Sequence, residues 1–322
     1  MHRGKIFWSF FREGPKALIK TKKDDTPSLR GGSILDTLLT DTEEFDNKFY
    51  VSDTETPSEL VLKVLNELWN TVDDKKLDLE HIPTKVKIDI MNKHSFYSYW
   101  KDPTRLAKLA TDGYEYYRLM TQVLGKTIIS SNEKKAAIAS ADALKQNRKT
   151  RRYFVRNPFN KDIELLYQLK FKCKLRGFDV RCMFDFIEVD HANKIITPGD
   201  LKTTGEPEEH FEHSFLKWSY FIQATLYMAI LKEILSQDDY FKDFTIMPFR
   251  FVVVNKDNLS PIEWIVTDET IAALTKAKYP TVWELLEKIQ WHVSNNMYNY
   301  SKDTVESDFT KPLSLKFLNK DE

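Results

Sequence analysis

Apolar positions along this chain follow two rhythms, and the change between them falls near residue 160. Phe7, Phe11, Ala17 and Leu18 approximate a helical spacing and predict a short helix over 6–20. The charged stretch 21–28, ending in Pro-Ser, predicts an exposed loop, and Gly31-Gly32-Ser33 predicts the opening of a helix over 34–39 capped by Ser33. From 57 to 147 the period is mostly helical, as in Leu60, Leu62, Val64, Leu65 and Leu68, then Leu106, Ala110, Tyr114 and Tyr117. Beyond 160, residues 163–175, 180–189 and 195–203 are rich in β-branched and aromatic residues and are separated by turn material, so they predict three strands. An amphipathic helix follows over 208–235, then a strand over 249–255 pairing with 262–266, a helix over 268–293 and a polar tail from Ser301.

This order predicts an α/β fold: a central sheet flanked by helices, with a large helical elaboration in front. The whole chain, 1–322, reads as one domain, with 57–147 a helical insertion and 301–322 a polar tail. No internal repeat is visible. Composition narrows the classes. Hydrophobic residues at 42% support a large core, while 48 basic against 48 acidic side chains exclude a polycation that binds nucleic acid by bulk charge. Only Cys173 and Cys182 are present, too few for a disulfide scaffold, zinc knuckle or iron–sulfur cluster. The first residues lack the apolar core of a signal peptide and no run reaches membrane-spanning length, so the expectation is a soluble, cytoplasmic protein with no membrane partner.

Asp200-Leu201-Lys202 carries the most chemistry. On a strand, alternate side chains share a face, so Asp200 and Lys202 present a carboxylate and an ammonium together. Asp185 sits inside the apolar run Met183-Phe184-Asp185-Phe186-Ile187, where a carboxylate is costly unless paired or bound to metal. Together they outline an oxygen-rich pocket for a hard divalent cation. Taken alone, Asp-x-Lys is a common surface salt bridge in a chain this charged. Gln223 and Tyr227, four residues apart, share a helix face; Tyr227 also fits an ordinary core position, Gln223 less easily, since a buried amide needs partners. Arg148, Lys149, Arg151, Arg152 and Arg156, interleaved with Tyr153 and Phe154, form the best local basic patch, either a solvated loop or a DNA-backbone contact. Glu115, Glu164 and Gln168 weigh less and suit solvated positions equally well.

Phe184-Asp185, then Gly199-Asp200-Leu201-Lys202-Thr203-Thr204, then Gln223-Ala224-Thr225-Leu226-Tyr227 resemble the motifs of the PD-(D/E)xK nucleases, in particular the RecB-like and RecE-like phage exonucleases. Gly32-Ser33-Ile34-Leu35-Asp36 is similar to the opening helix of that family, with Asp36 where many relatives carry histidine. The resemblance implies a restriction-endonuclease-like core and hydrolysis of phosphodiester bonds with Mg²⁺ or Mn²⁺. It implies Asp36, Asp185, Asp200 and the Leu201 carbonyl as metal ligands, Lys202 beside the reacting phosphate, and Gln223 and Tyr227 positioning the strand. It further implies DNA as the partner, a role in phage recombination or replication in the host cytoplasm, and a single-strand annealing or single-strand-binding protein as a second partner. A homo-oligomer, a structure-specific endonuclease and a non-catalytic DNA-binding scaffold on a nuclease fold stay open as alternatives.

Overall fold

The computed structural model describes residues 2–19 and 27–310, so most of the expected loop at 21–28 and the end of the tail lie outside the described residues. These residues divide into two compact units: a sheet unit of 1–32 with 140–322, and a helical unit of 33–139. The sequence pattern places the helical segment over 57–147; the compact unit begins earlier and ends sooner.

The chain opens with strand β1 (His2–Arg3) and helix α1 (Gly4–Glu13), which ends because Gly14 takes φ 78° and Pro15 follows. Helix α2 (Pro27–Thr40) runs straight through Gly31-Gly32-Ser33, so Ser33 is not its cap; Pro27, with its fixed φ, begins it instead. The helical unit continues with α3 (Phe45–Lys48), β2 (Phe49–Val51), α4 (Glu59–Thr71), α5 (Thr84–Lys93), α6 (Asp102–Val123), β3 (Thr127–Ile129) and the first part of α7 (Ser131–Gln146). Ser58 caps α4 by accepting from the Val61 amide. Val61, Val64, Leu65 and Leu68 of α4 pack with Leu109 and Tyr117 of α6, and Gly113 admits the Leu65 side chain between the two helices. The parallel pair β2–β3 was not foreseen; three residues each are too few for a readable period.

In the sheet unit, short helix α8 (Arg151–Phe154) leads into β4 (Ile163–Leu175), β5 (Phe178–Asp190) and β6 (Ile195–Thr204). Then come α9 (Phe211–Lys217), α10 (Tyr220–Ser236), β7 (Thr245–Ile246), β8 (Arg250–Asn255), β9 (Pro261–Ile265), α11 (Asp268–Lys276), α12 (Val282–Ser294) and α13 (Lys302–Glu306). The seven-stranded sheet is mixed, in the order β1-β5-β6-β8-β9, with β4 beside β5 and β7 beside β6. β4–β5 and β5–β6 are antiparallel; β6 and β8 are parallel, joined through α9 and α10. The α10 and α12 side buries the main core, including Phe184, Ile187, Phe221, Ile230, Phe251 and Ile289. On the opposite face Tyr153 and Phe154 of α8 pack against Phe186.

Two helices expected as continuous are broken. The 208–235 segment bends where Ser219 takes φ 56°, separating α9 from α10. The 268–293 segment parts at Tyr279-Pro280, and α11 and α12 start afresh with Thr267 and Thr281 as caps. Among the described residues no helix is long and apolar enough to cross a membrane.

Candidate active site

β5 and β6 part company at the predicted chemistry. Their antiparallel register runs from Asp190↔Ile195 to Phe186↔Gly199 and stops there. The next pair in sequence would be Asp185 and Asp200; instead β6 continues beside β8 alone, from Gly199 to Thr204. Two residues make this fork possible. Gly199 has no Cβ, and one placed there would lie 2.1 Å from the Phe186 ring. Pro198 falls between the β7-paired and β8-paired segments of β6, where its missing N–H interrupts neither ladder. In the opened gap the Asp185 carboxylate accepts the Leu201 backbone N–H at 2.8 Å, a side chain taking the place of the absent strand partner.

Asp185 also marks a change of side. On β5, Val180, Cys182 and Phe184 face the core under α10, and so do Ile187 and Val189, so the two-residue alternation slips by one between 184 and 187. β4 slips in the same place. Leu169, Phe171 and Leu175 face that core, as does Leu166, while the Tyr167 hydroxyl donates to the Tyr153 carbonyl on the far side. Between them stands Gln168, at φ 51°, opposite Asp185 in the register; it is the one interior position of the β4–β5 pairing left unmatched. Its amide nitrogen lies 3.5 Å from the Asp185 carboxylate.

Asp200 is 3% exposed and faces α10. Lys202 pairs with one of its oxygens and the Gln223 amide donates to the other. The Lys202 ammonium sits 5.0 Å from the centre of the Tyr220 ring and 5.7 Å from that of Phe251, a desolvated aromatic slot. Burial alone would lower the Lys202 pKa, but the Asp200 and Asp185 carboxylates override it and hold the value above that of an ordinary lysine. Tyr227 packs edge-on to Phe184, and burial, reinforced by the charges of Asp200 and Asp185, pushes its hydroxyl well above the usual range. It therefore stays protonated and remains a hydrogen-bond donor at any physiological pH. Tyr220 is pushed the same way, first by burial.

Asp185, Asp200, Lys202, Gln223 and Tyr227 thus converge in the sheet unit, with Leu201 presenting its amide to Asp185. Asp36 lies on α2 in the helical unit and is half-buried. Glu115, on α6, is exposed and accepts from Arg118 at 2.7 Å. Glu164 is bound to His191 at the far end of β4. Of the basic patch, Arg148, Lys149, Arg151 and Arg156 are exposed, but Arg152 makes a two-pronged ion pair with Glu188, whose side chain is 5% exposed. Sequence reading missed Tyr220 and Phe251 as walls of the lysine slot; Tyr220, three residues before Gln223, shares its helix face and was the available signal.

Asp185 and Asp200 are hard oxygen donors, the kind of side chain that could hold a divalent cation. Among the described residues no group of three or more His, Cys, Asp and Glu side chains is placed to hold a metal ion. Two carboxylates suit Mg²⁺, which shares its coordination with water and substrate phosphate instead of filling a closed protein cage.

No protein-family profile and no curated protein matches the chain. Among solved structures it is similar to a protein from Eubacterium rectale described as a "Putative exonuclease", with a TM-score of 0.44 and 12% identity over 99% of this chain and 93% of the other. At that level of similarity no family is shown, and the functional reading rests on the site.

Proposed function

We propose that this chain is a metal-dependent deoxyribonuclease of the PD-(D/E)xK type, an exonuclease acting on the ends of duplex DNA. The observation that carries the reading is the fork itself. It brings the Asp185 carboxylate against the Asp200–Leu201 peptide while Lys202 and Gln223 hold the Asp200 carboxylate from either side. Asp185 and Asp200 would hold the metal, with the Leu201 carbonyl as a further ligand. Bound there, Mg²⁺ would supply Lewis-acid polarisation of the scissile phosphate and would lower the pKa of the attacking water.

The chain's own groups do the rest. Lys202, kept protonated by two carboxylates, stabilises negative charge developing on the phosphate. Gln223 fixes the Asp200 carboxylate in place. Tyr227 donates without ionising and orients an oxygen of the strand. Burying a charge pair inside a sheet costs desolvation energy that chemistry would justify, and that argues against a scaffold that merely retains the fold.

The test is incubation of the pure protein with Mg²⁺ and end-labelled linear DNA beside covalently closed circles. Metal-dependent loss of linear DNA, abolished by Asp200→Ala and by Lys202→Ala, is expected. Circles cut as fast as linear DNA would replace the exonuclease with an endonuclease, and cutting retained by either variant would remove the site assignment.

A further inference from the structure

Among the described non-glycine residues with a left-handed φ, all but one lie in turns, loops or helix ends; Gln168 alone lies inside a strand. Turn geometry accounts for others such as Arg176 and Lys194, which sit between paired strands. Nothing in the regular geometry of the 13-residue strand β4 asks for it. A β-bulge is the ordinary cause of such a break, and it places two residues of one strand against one of the other. Here the count stays equal: Tyr167 faces Phe186 and Leu169 faces Phe184, with a single residue on each strand between them. Those two residues are Gln168 and Asp185.

The two side chains also approach each other. The Gln168 amide nitrogen lies 3.5 Å from Asp185 Oδ1, while the Leu201 N–H donates to Oδ2 at 2.8 Å. An ionised carboxylate only accepts, so the amide turns its nitrogen, not its oxygen, toward Asp185. Both side chains are half-buried, where such contacts are less diluted by water. The carboxylate is thus held from β4 at one oxygen and from β6 at the other. Glycine would take the backbone conformation of residue 168 without cost, so the glutamine side chain stands here against local stability.

We propose that Gln168 is a positioning residue of the active site, whose amide keeps the Asp185 carboxylate turned into the fork. The proposal rests on the nuclease reading above for the use to which Asp185 is put, and it adds a residue on β4 to the machinery of β5, β6 and α10. A hydrogen-bonded neighbour of a ligating carboxylate fixes its orientation, and its loss commonly weakens metal affinity or activity by about 10–100-fold.

Two variants separate the side chain from the backbone. Gln168→Gly removes the amide and the backbone strain together. Gln168→Met keeps a side chain of similar length on the strained backbone and removes only the amide. Urea unfolding, hydrogen exchange at the Leu201 amide and Mn²⁺ binding by calorimetry without DNA are measured on the full chain. Gln168→Gly is expected to unfold at a urea concentration equal to or above that of the wild type. In both variants the Leu201 amide should exchange at least about tenfold faster, the worth of one hydrogen bond to a charged group. Mn²⁺ should bind both about 10–100-fold more weakly. Faster exchange in a protein no less stable does not come from general loosening, so a merely structural glutamine would not produce it. Wild-type exchange in both variants would overturn the proposal and leave the nuclease reading intact. A change confined to Gln168→Gly would assign the effect to the backbone, and a marked loss of stability in that variant would assign the side chain to packing; either overturns the proposal. A wild-type chain that neither binds Mn²⁺ nor cuts DNA would remove the nuclease reading, and Leu201 exchange would still decide whether Gln168 holds Asp185.

Discussion

Gln168 and Asp185 stand opposite each other across β4 and β5, and both strands change sides at that pair. Gln168 holds φ 51°, a left-handed conformation that costs a non-glycine residue on the order of 1–3 kcal/mol. Such a cost persists only where the surroundings enforce it. Here the long Leu169–Leu175 and Ile163–Tyr167 pairings on either side lock the register, so the slip cannot migrate along the hairpin. The slip turns Asp185 out of the regular alternation and into the fork, where its carboxylate reaches the Leu201 amide.

Gly199 is required by that fork. A methyl group at this position meets the Phe186 ring at 2.1 Å, and the ring is wedged between Tyr153 and Phe154 with no room to withdraw. Gly199→Ala should destabilise the protein by about 1–3 kcal/mol, the usual cost of overpacking. Adding Phe186→Leu should recover part of that loss. Urea unfolding of the two single variants and the double variant measures the coupling, and additive effects would show that the ring is not the obstacle.

Arg151 and Arg152 are neighbours in sequence with different surroundings: Arg152 pairs with Glu188, while Arg151 is exposed. Arg152→Ala leaves Glu188 without its partner in a buried position, and a loss of about 3 kcal/mol is expected, at the low end for a broken buried pair because the guanidinium itself is half-exposed. Arg151→Gln should leave the melting temperature unchanged and lower the salt slope of DNA binding by roughly 0.9. Thermal melts beside binding isotherms check both, and equal melting temperatures for the two variants would contradict the assignment.

The lysine slot makes an alkaline prediction. The Lys202 pKa is raised in the folded state, so its contribution to stability is fully present below the ordinary lysine value of 10.5 and is lost as pH climbs through the elevated value. Asp200→Asn removes the strongest charge opposing burial and leaves mainly Asp185 to oppose it, so the Lys202 pKa falls relative to the wild type. In that variant the alkaline fall in melting temperature should start at lower pH than in the wild type. Melting temperatures from about pH 8 to 11 decide it; superimposable profiles would mean that Asp200 does not control the lysine.

Strands β4, β5 and β6 were legible to within a few residues because β-branched and aromatic runs are bracketed there by turn sequences. The convergence of Asp200, Lys202 and Gln223 was legible too, since strand and helix periods put them on facing surfaces. The break at Ser219 was not, because serine carries little signal for a left-handed residue, and Gly31-Gly32, read as a helix start, are simply tolerated inside α2. The Pro280 break was written in the sequence and overlooked. The slip at Gln168 and the Arg152–Glu188 pair depend on contacts 17 and 36 residues away, which no local period encodes.

The parallel pairing of β6 with β8 has a temporal consequence. β6 acquires its second neighbour only after α9 and α10 have crossed over the sheet and β8 has been inserted. Asp200 gains Gln223, and Lys202 gains Tyr220, only once α10 packs on the sheet, and the second wall of the lysine slot arrives later still, because Phe251 belongs to β8. A chain still emerging from the ribosome therefore holds its acidic strands without a formed site. A fragment cut short anywhere before residue 251 leaves the Lys202 ammonium with one side of its aromatic enclosure open.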